Sequence, residues 1–189
     1  MKILCYGDSN TYGYDPRSCF GDRYGAEDRW VDLLARKLNC TAINEGENGR
    51  QIPRREWEIH GLKQLLDREK DTDLLLIMLG TNDLLQGTTV EGICGRMEAF
   101  LKELDFDRTR TVLVAPPPVV RGQWVESQAL TDASRELIRG YKALSAGLGV
   151  TFADTEAWNI PMTFDGVHFT EEGHRAFAEA LIPILNKGE

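Results

Sequence analysis

A chain of 189 residues, 42% hydrophobic and 28% charged, is long enough for one buried core and has the balance of an ordinary globular domain. Its net charge of −8, from 30 acidic against 22 basic residues, argues against a nucleic-acid partner or an anionic membrane surface, since both favour a basic face. No apolar run approaches the roughly 20 residues of a membrane span, and Cys5, Cys19, Cys40 and Cys94 have neither zinc-site spacing nor disulfide density, so all four are expected as free thiols.

The first predicted element is a strand at 3–6, Ile3-Leu4-Cys5-Tyr6, which runs directly into Gly7-Asp8-Ser9-Asn10. An apolar stretch this short and this committed cannot double as a signal segment, so the mature chain is expected to start at Met1 and to be cytoplasmic. Residues 10–28 follow with Pro16 and three glycines but no apolar period, and they read as a loop. Trp30, Leu33, Leu34 and Leu38 then recur at one-face helical spacing. A second strand is expected at Ala42-Ile43, followed by a turn through Asn44-Glu45-Gly46-Glu47-Asn48-Gly49, and a weaker helical stripe runs through Ile59, Leu62, Leu65 and Leu66.

The third strand, 74–79, leads into Gly80-Thr81-Asn82-Asp83, and a helix carries Ile93, Met97, Phe100, Leu101 and Leu104 on one face. The fourth strand, 111–115, is halted by Pro116-Pro117-Pro118. A loop at 119–130 precedes a helix with Leu137, Ile138, Tyr141, Leu144 and Leu148, and the fifth strand is expected at 150–152. Asp165-Gly166-Val167-His168 precedes a last helix bearing Phe177, Ala180, Leu181, Ile184 and Leu185. Strands with continuous rather than alternating apolarity are covered on both faces. Strand alternating with helix therefore predicts a parallel sheet inside a three-layer α/β/α sandwich. No repeat, low-complexity tract or linker divides it, so residues 1–189 are expected to be one domain.

Sites in such sheets form beyond the carboxyl ends of the strands, where the serine, asparagine and histidine motifs fall. A serine hydroxyl needs an adjacent base, usually an imidazole held in one tautomer by a third group. Ser9 sits at a strand-to-helix turn, and Asp165 lies three residues before His168, within reach of its Nδ1. The other two histidines, His60 and His174, read as structural or surface residues, with His174 expected to be exposed on the final helix. Asn82 can offer a side-chain amide and Gly49 a backbone N–H to a developing oxyanion, as can the N–H of Ser9. Asp8 and Asp83 read as turn-stabilising carboxylates, because a second negative charge would oppose an oxyanion. Asn10, Tyr12, Tyr14, Phe20, Trp124 and Trp158 lie where a substrate pocket would form, although aromatics also serve simply to pin long loops. No His/Cys cluster suits a metal, and the chemistry requires no cofactor.

The four blocks Gly7-Asp8-Ser9, Asn44 to Gly49, Gly80-Thr81-Asn82-Asp83 and Asp165-Gly166-Val167-His168 resemble, in order and spacing, the SGNH hydrolases, also called GDSL esterases and lipases. Arg29-Trp30 and Pro116-Pro117-Pro118 look most like the bacterial arylesterase and acyltransferase branch. The resemblance implies a flavodoxin-like sheet of order 2-1-3-4-5, Ser9 as nucleophile, His168 as base oriented by Asp165, and Ser9, Gly49 and Asn82 as oxyanion donors. Two departures stand out. Position 10 is Asn where the family name expects Leu, which bears on the acyl side. The segment from Gly49 to Ile59 is short for the acyltransferase branch, so that branch's narrow channel and oligomeric packing are not carried over.

The expected activity is hydrolysis of short, acetyl-type esters through an acyl-enzyme, with transfer to alcohols if water is excluded. A carbohydrate O-acetyl esterase is the nearest alternative, then a thioesterase or lysophospholipase. From another class, a non-catalytic flavodoxin-like binding module lacks the Gly-rich loop with lysine that phosphate binding needs. The expected partner is a small-molecule ester, and a homo-oligomer is compatible with the sequence.

Overall fold

The computed structural model describes residues 1–18 and 20–186, so the free-thiol expectation for Cys19 lies outside the described residues. Cys5, Cys40 and Cys94 are free thiols. Five parallel strands form one sheet: β1 (Lys2–Gly7), β2 (Thr41–Gly46), β3 (Leu74–Met78), β4 (Thr111–Val114) and β5 (Thr151–Ala153). The parallel sheet is the one the sequence pattern predicts, and its spatial order, β2-β1-β3-β4-β5, is the one the resemblance implies. Registers such as Gly7↔Gly46 and Gly7↔Met78 align the ends of the first three strands, so the segments that follow them emerge side by side.

Alternation along each buried strand sorts its side chains between two apolar layers. Ile3, Cys5, Leu76, Met78, Val112 and Val114 pack under α2 (Trp30–Leu38) and α7 (Glu171–Leu185), with Trp30, Leu34 and Phe177 at the centre. Leu4, Tyr6, Leu75, Ile77 and Leu113 face α3 (Glu56–Arg68), α5 (Val90–Glu103) and α6 (Gln128–Leu148), where Leu62, Ile93, Met97, Phe100, Ile138 and Tyr141 interdigitate. Both faces are covered, which is why β1, β3 and β4 read as unbroken apolar runs.

The structure corrects the sequence reading at three places. β2 reaches from Thr41 to Gly46, so Asn44, Glu45 and Gly46 finish a strand instead of opening a turn. An edge strand exposes part of its surface, and its polar residues hid its length. Two very short helices, α1 (Ser9–Tyr12) and α4 (Thr81–Leu85), begin directly after β1 and after Gly80. His174 is fully buried. Its Nδ1 accepts from the Trp30 backbone N–H at 3.4 Å, and its ring meets those of Tyr24 and Phe169 edge-on.

Gly46 marks the tightest approach. A Cβ there would stand 2.0 Å from the backbone nitrogen of Tyr12, so α1 can lie against the end of β2 only above a glycine. The contact is fastened by Asn44, whose side-chain N–H donates to Thr11 O at 2.8 Å and whose Oδ1 accepts from Gly46 N at 3.0 Å. Gly46→Ala is expected to lower unfolding free energy by about 1–3 kcal/mol through overpacking. Gly61→Ala, inside α3 where a Cβ meets nothing within 4 Å, should raise it by about 0.5–1 kcal/mol. Urea denaturation midpoints of the two variants check the pair of opposite signs.

Candidate active site

The chain leaves β1 at Gly7 and turns at once into α1. Asp8 caps that turn, with Oδ1 accepting from Asn10 N at 3.0 Å. Ser9 is thereby held at the strand end, 6% exposed. Its Oγ lies 2.9 Å from His168 Nε2, and His168 Nδ1 lies 2.6 Å from Asp165 Oδ2. The other carboxylate oxygen, Oδ1, accepts from Val167 N at 2.8 Å, His168 N at 3.0 Å and Thr163 Oγ1 at 2.8 Å.

An ionised Asp165 can only accept, so it selects the tautomer in which Nδ1–H donates to it and the Nε2 lone pair faces the Ser9 hydroxyl. Burial alone would raise the Asp165 pKa. The hydrogen bonds from His168, Val167 and Thr163 outweigh it and hold the group at about 2. Gly166 makes the turn possible with φ of +82°, and a Cβ there would meet Val120 O at 2.1 Å.

The second side of the site comes from the segments after β2 and β3. Gly49 has φ of +75° with open space around its Cβ position, and its N–H makes no hydrogen bond among the described residues. The Asn82 side chain donates one N–H to Arg50 O at 3.0 Å, which leaves its second amide hydrogen uncommitted.

Two residues that the sequence reading passed over hold the site in place, one on each side. Arg50 donates through Nη1 to Gly7 O at 2.9 Å and to Glu45 O, pairs with Glu47 at 2.7 Å, and lies over the Tyr6 ring. Thr163, on the histidine side, completes the Asp165 cage. Neither residue type carries a signal in sequence: Arg50 acts through Gly7 O, which only the fold brings near, and Thr163 through the Asp165 carboxylate, a bond that a threonine two residues from an aspartate does not announce. Asp83 proves to bridge segments, with Oδ2 accepting from Ile52 N at 3.0 Å and Oδ1 from Arg96 at 2.9 Å.

The expected pocket residues divide. Tyr14 and Trp124 present ring edges to His168 at centroid distances of 4.9 and 5.2 Å. Tyr12 instead lies under the Arg23 guanidinium, 4.3 Å away. Phe20 projects into solvent at 90% exposure. Trp158 packs against Phe177 in the α2–α7 layer, so it belongs to the core rather than to the rings around His168. Asn10 is buried with both side-chain polar atoms bonded to the protein, which removes it from direct substrate binding. A cavity of about 500 Å³ borders Gly49 and Arg50 and extends along Tyr6, Arg54, Trp57 and Leu62, with neither Ser9 nor His168 in its lining.

Fold and geometry together define a hydrolase-type site in which a buried serine, an imidazole and a carboxylate are linked in series at the end of a parallel sheet. A family model for the GDSL-like lipase/acylhydrolase family matches residues 5–176, and the chain belongs to that family of carboxylic ester hydrolases. Similar solved structures include a carbohydrate acetylesterase family member from Sinorhizobium meliloti, 26% identical, with a TM-score of 0.84 over 99% of this chain and 98% of that one. The native aryl esterase of M. smegmatis is 27% identical, with a TM-score of 0.83 over 98% of both chains. No curated protein matches the chain significantly. Among the described residues, no helix is long and apolar enough to cross a membrane.

Two further buried groups flank the site with opposite shifts. Burial lifts Asp8 to about 6, and burial drives His174 down to about 3. Unfolded, a histidine titrates near about 6.5, so below that pH the unfolded chain binds a proton that folded His174 refuses. Its contribution therefore disappears as pH falls from about 6.5 toward 3. The difference in unfolding free energy between pH of about 7.5 and about 4.5 should shrink by about 2–3 kcal/mol in His174→Gln, as measured by urea titration at both pH values. Asp8 titrates in the same window with the opposite sign but is common to both proteins.

Proposed function

We propose that residues 1–189 act as one serine esterase domain that hydrolyses short, acetyl-type carboxylic esters through an acyl-enzyme. The observation that carries this reading is the continuous series Ser9 Oγ to His168 Nε2 at 2.9 Å and His168 Nδ1 to Asp165 at 2.6 Å. In the reaction, Ser9 Oγ attacks the ester carbonyl carbon while His168 Nε2 takes its proton. The imidazolium is stabilised by Asp165. The carbonyl oxygen, now an oxyanion, is received by the N–H groups of Ser9 and Gly49 and by the free amide hydrogen of Asn82. His168 then protonates the departing alkoxide, and water resolves the acyl-Ser9 by the reverse path. An alcohol replaces water where the pocket favours it. The route uses no cofactor.

Short acyl groups fit a site whose histidine is already flanked by Tyr14 and Trp124. A second reading, de-acetylation of sugar esters, is favoured by Trp124, which is half exposed beside His168 and offers a ring for a sugar face. The similarity to a carbohydrate acetylesterase family member agrees with it. We further propose that the protein works in the cytoplasm, on a small soluble ester.

Initial rates on p-nitrophenyl esters of two, four and eight acyl carbons test the assignment. Rates are expected to fall with chain length, Ser9→Ala to abolish turnover, and Asn82→Ala to lower kcat about 100- to 1000-fold. Wild-type turnover in Ser9→Ala would refute the nucleophile. Rates on acetylated oligosaccharides far above those on aryl acetates would select the sugar reading, and rates rising with chain length would point to a thioesterase or lysophospholipase.

A further inference from the structure

Asn10, next to the serine, uses all four of its polar groups on the protein. Its N–H donates to Asp8 Oδ1 at 3.0 Å, and its C=O accepts from the Trp30 indole N–H at 3.0 Å. Its side chain reaches across 157 residues of sequence to the segment that carries His168. There Nδ2 donates to Val167 O at 3.0 Å, and Oδ1 accepts from Phe169 N at 3.0 Å. The carboxamide thus engages the backbone on both sides of one residue, and that residue is the histidine. It does so as a peptide group would, with one donor and one acceptor held in a plane. Apart from the Ser9–His168 bond itself, these are the direct hydrogen bonds, among the described residues, between residues 9–10 and residues 167–169.

We propose that Asn10 is a positioning residue that sets the distance between nucleophile and base, bracketing His168 by its two neighbouring peptide groups. The proposal rests on the reading of Ser9 and His168 given above. Ser9 and Asn10 are consecutive in α1, so their relative placement is fixed by one short helix. Any displacement of residues 167–169 from Asn10 is therefore a displacement of the imidazole from the Ser9 hydroxyl. Leucine, the residue in the family's name, has the branched outline of Asn10 but neither its donor nor its acceptor. In this chain it would leave Val167 O and Phe169 N buried without partners. Asparagine supplies both functions at once, and does so at any pH.

The distinguishing test is Asn10→Asp, measured against wild type across pH. A protonated aspartic acid reproduces the bracket, since its O–H can donate to Val167 O while its carbonyl accepts from Phe169 N. The carboxylate has no donor and opposes Val167 O. The charged and titratable groups around it are Asp8 on the same turn, His168 with its partner Asp165, His174 behind Trp30, and the Tyr24 hydroxyl on Phe169 O. The same groups face position 10 in both proteins, and a carboxylate there favours protonated His168, which would lower the variant's ratio at acid pH, the opposite of the recovery the bracket predicts. With kcat counted per fluorophosphonate-labelled Ser9, Asn10→Asp should fall about 10- to 100-fold at alkaline pH with KM little changed, the scale expected when reacting groups are misplaced. The ratio to wild type should climb toward one as pH falls from about 8.5 to about 5.5 and the introduced acid is protonated. Asn10→Leu should show a similar loss that does not recover with pH.

A pH-independent ratio for Asn10→Asp, or wild-type kcat per labelled site in both variants with only a lowered Tm, would overturn the proposal and leave Asn10 as a folding residue. Ser9→Ala, with its rate counted per mole of protein because it has no serine to label, separates this from the function itself. If Ser9→Ala turns over normally, the reading of the site fails; if it is inert while the Asn10 variants are unimpaired, only the bracket fails.

Discussion

The carboxylate of Asp165 is the point on which the site depends. It is buried, and a buried charge is tolerated only where its lone pairs are met. Four donors meet them: the His168 ring, two successive backbone N–H groups and the Thr163 hydroxyl. The same bonds that satisfy the charge wind residues 163–168 into a turn. Orientation of the imidazole is therefore a by-product of folding that turn, and the turn cannot relax without exposing a carboxylate to an apolar surrounding. Structure and chemistry use one set of hydrogen bonds.

The opposite side of the site is held by different means. Parallel pairing brings the ends of β1, β2 and β3 level, but the segments that follow them have no ladder to share. Side chains supply the missing connections. Arg50 ties the loop of Gly49 back to Gly7, its own carbonyl takes the amide of Asn82, and Asp83 reaches Ile52 N with Arg96 against its second oxygen. Each bond joins a side chain to a backbone group, or to a charge, on another segment. Together they tie the loop of Gly49 to β1 and to α4, which carries Asn82.

This division explains what could be read from sequence. The buried strands and the apolar helical stripes were legible because hydrophobic periodicity is a local signal, and Trp30, Ile93 and Phe177 each turn into the core as their spacing implied. The Asp165–His168 pair was legible because three residues of separation already bring the two together. His174 misled because a histidine beside Glu171, Glu172 and Arg175 looks solvated, whereas the helix turns it inward onto Tyr24 and Phe169. Trp158 misled because an aromatic after a strand end can face the site or the core, and Phe177 decides it. Arg50 and the bracket of Asn10 were silent, since their partners are peptide groups contributed by distant segments, and Thr163 was silent because a threonine two residues from an aspartate is too ordinary to mark a bond. Local pattern carries no record of such partners.

The loop that bears Trp124 is laced to the histidine turn by three backbone hydrogen bonds, from Val120 N to Gly166 O, Gln123 N to Phe164 O and Trp124 N to Asp165 O, each 3.0 Å. The side chains of Val120, Trp124 and Phe164 project from this double-stranded rim into solvent. None of the three is needed to keep the rim in shape, because main-chain atoms do that. Natural variation can therefore exchange these side chains freely while the buried charge beneath them stays untouched. A scaffold of this kind separates the part of the protein that is free to drift from the part that is not, and new ester preferences can arise by single steps that carry little risk to the reaction itself.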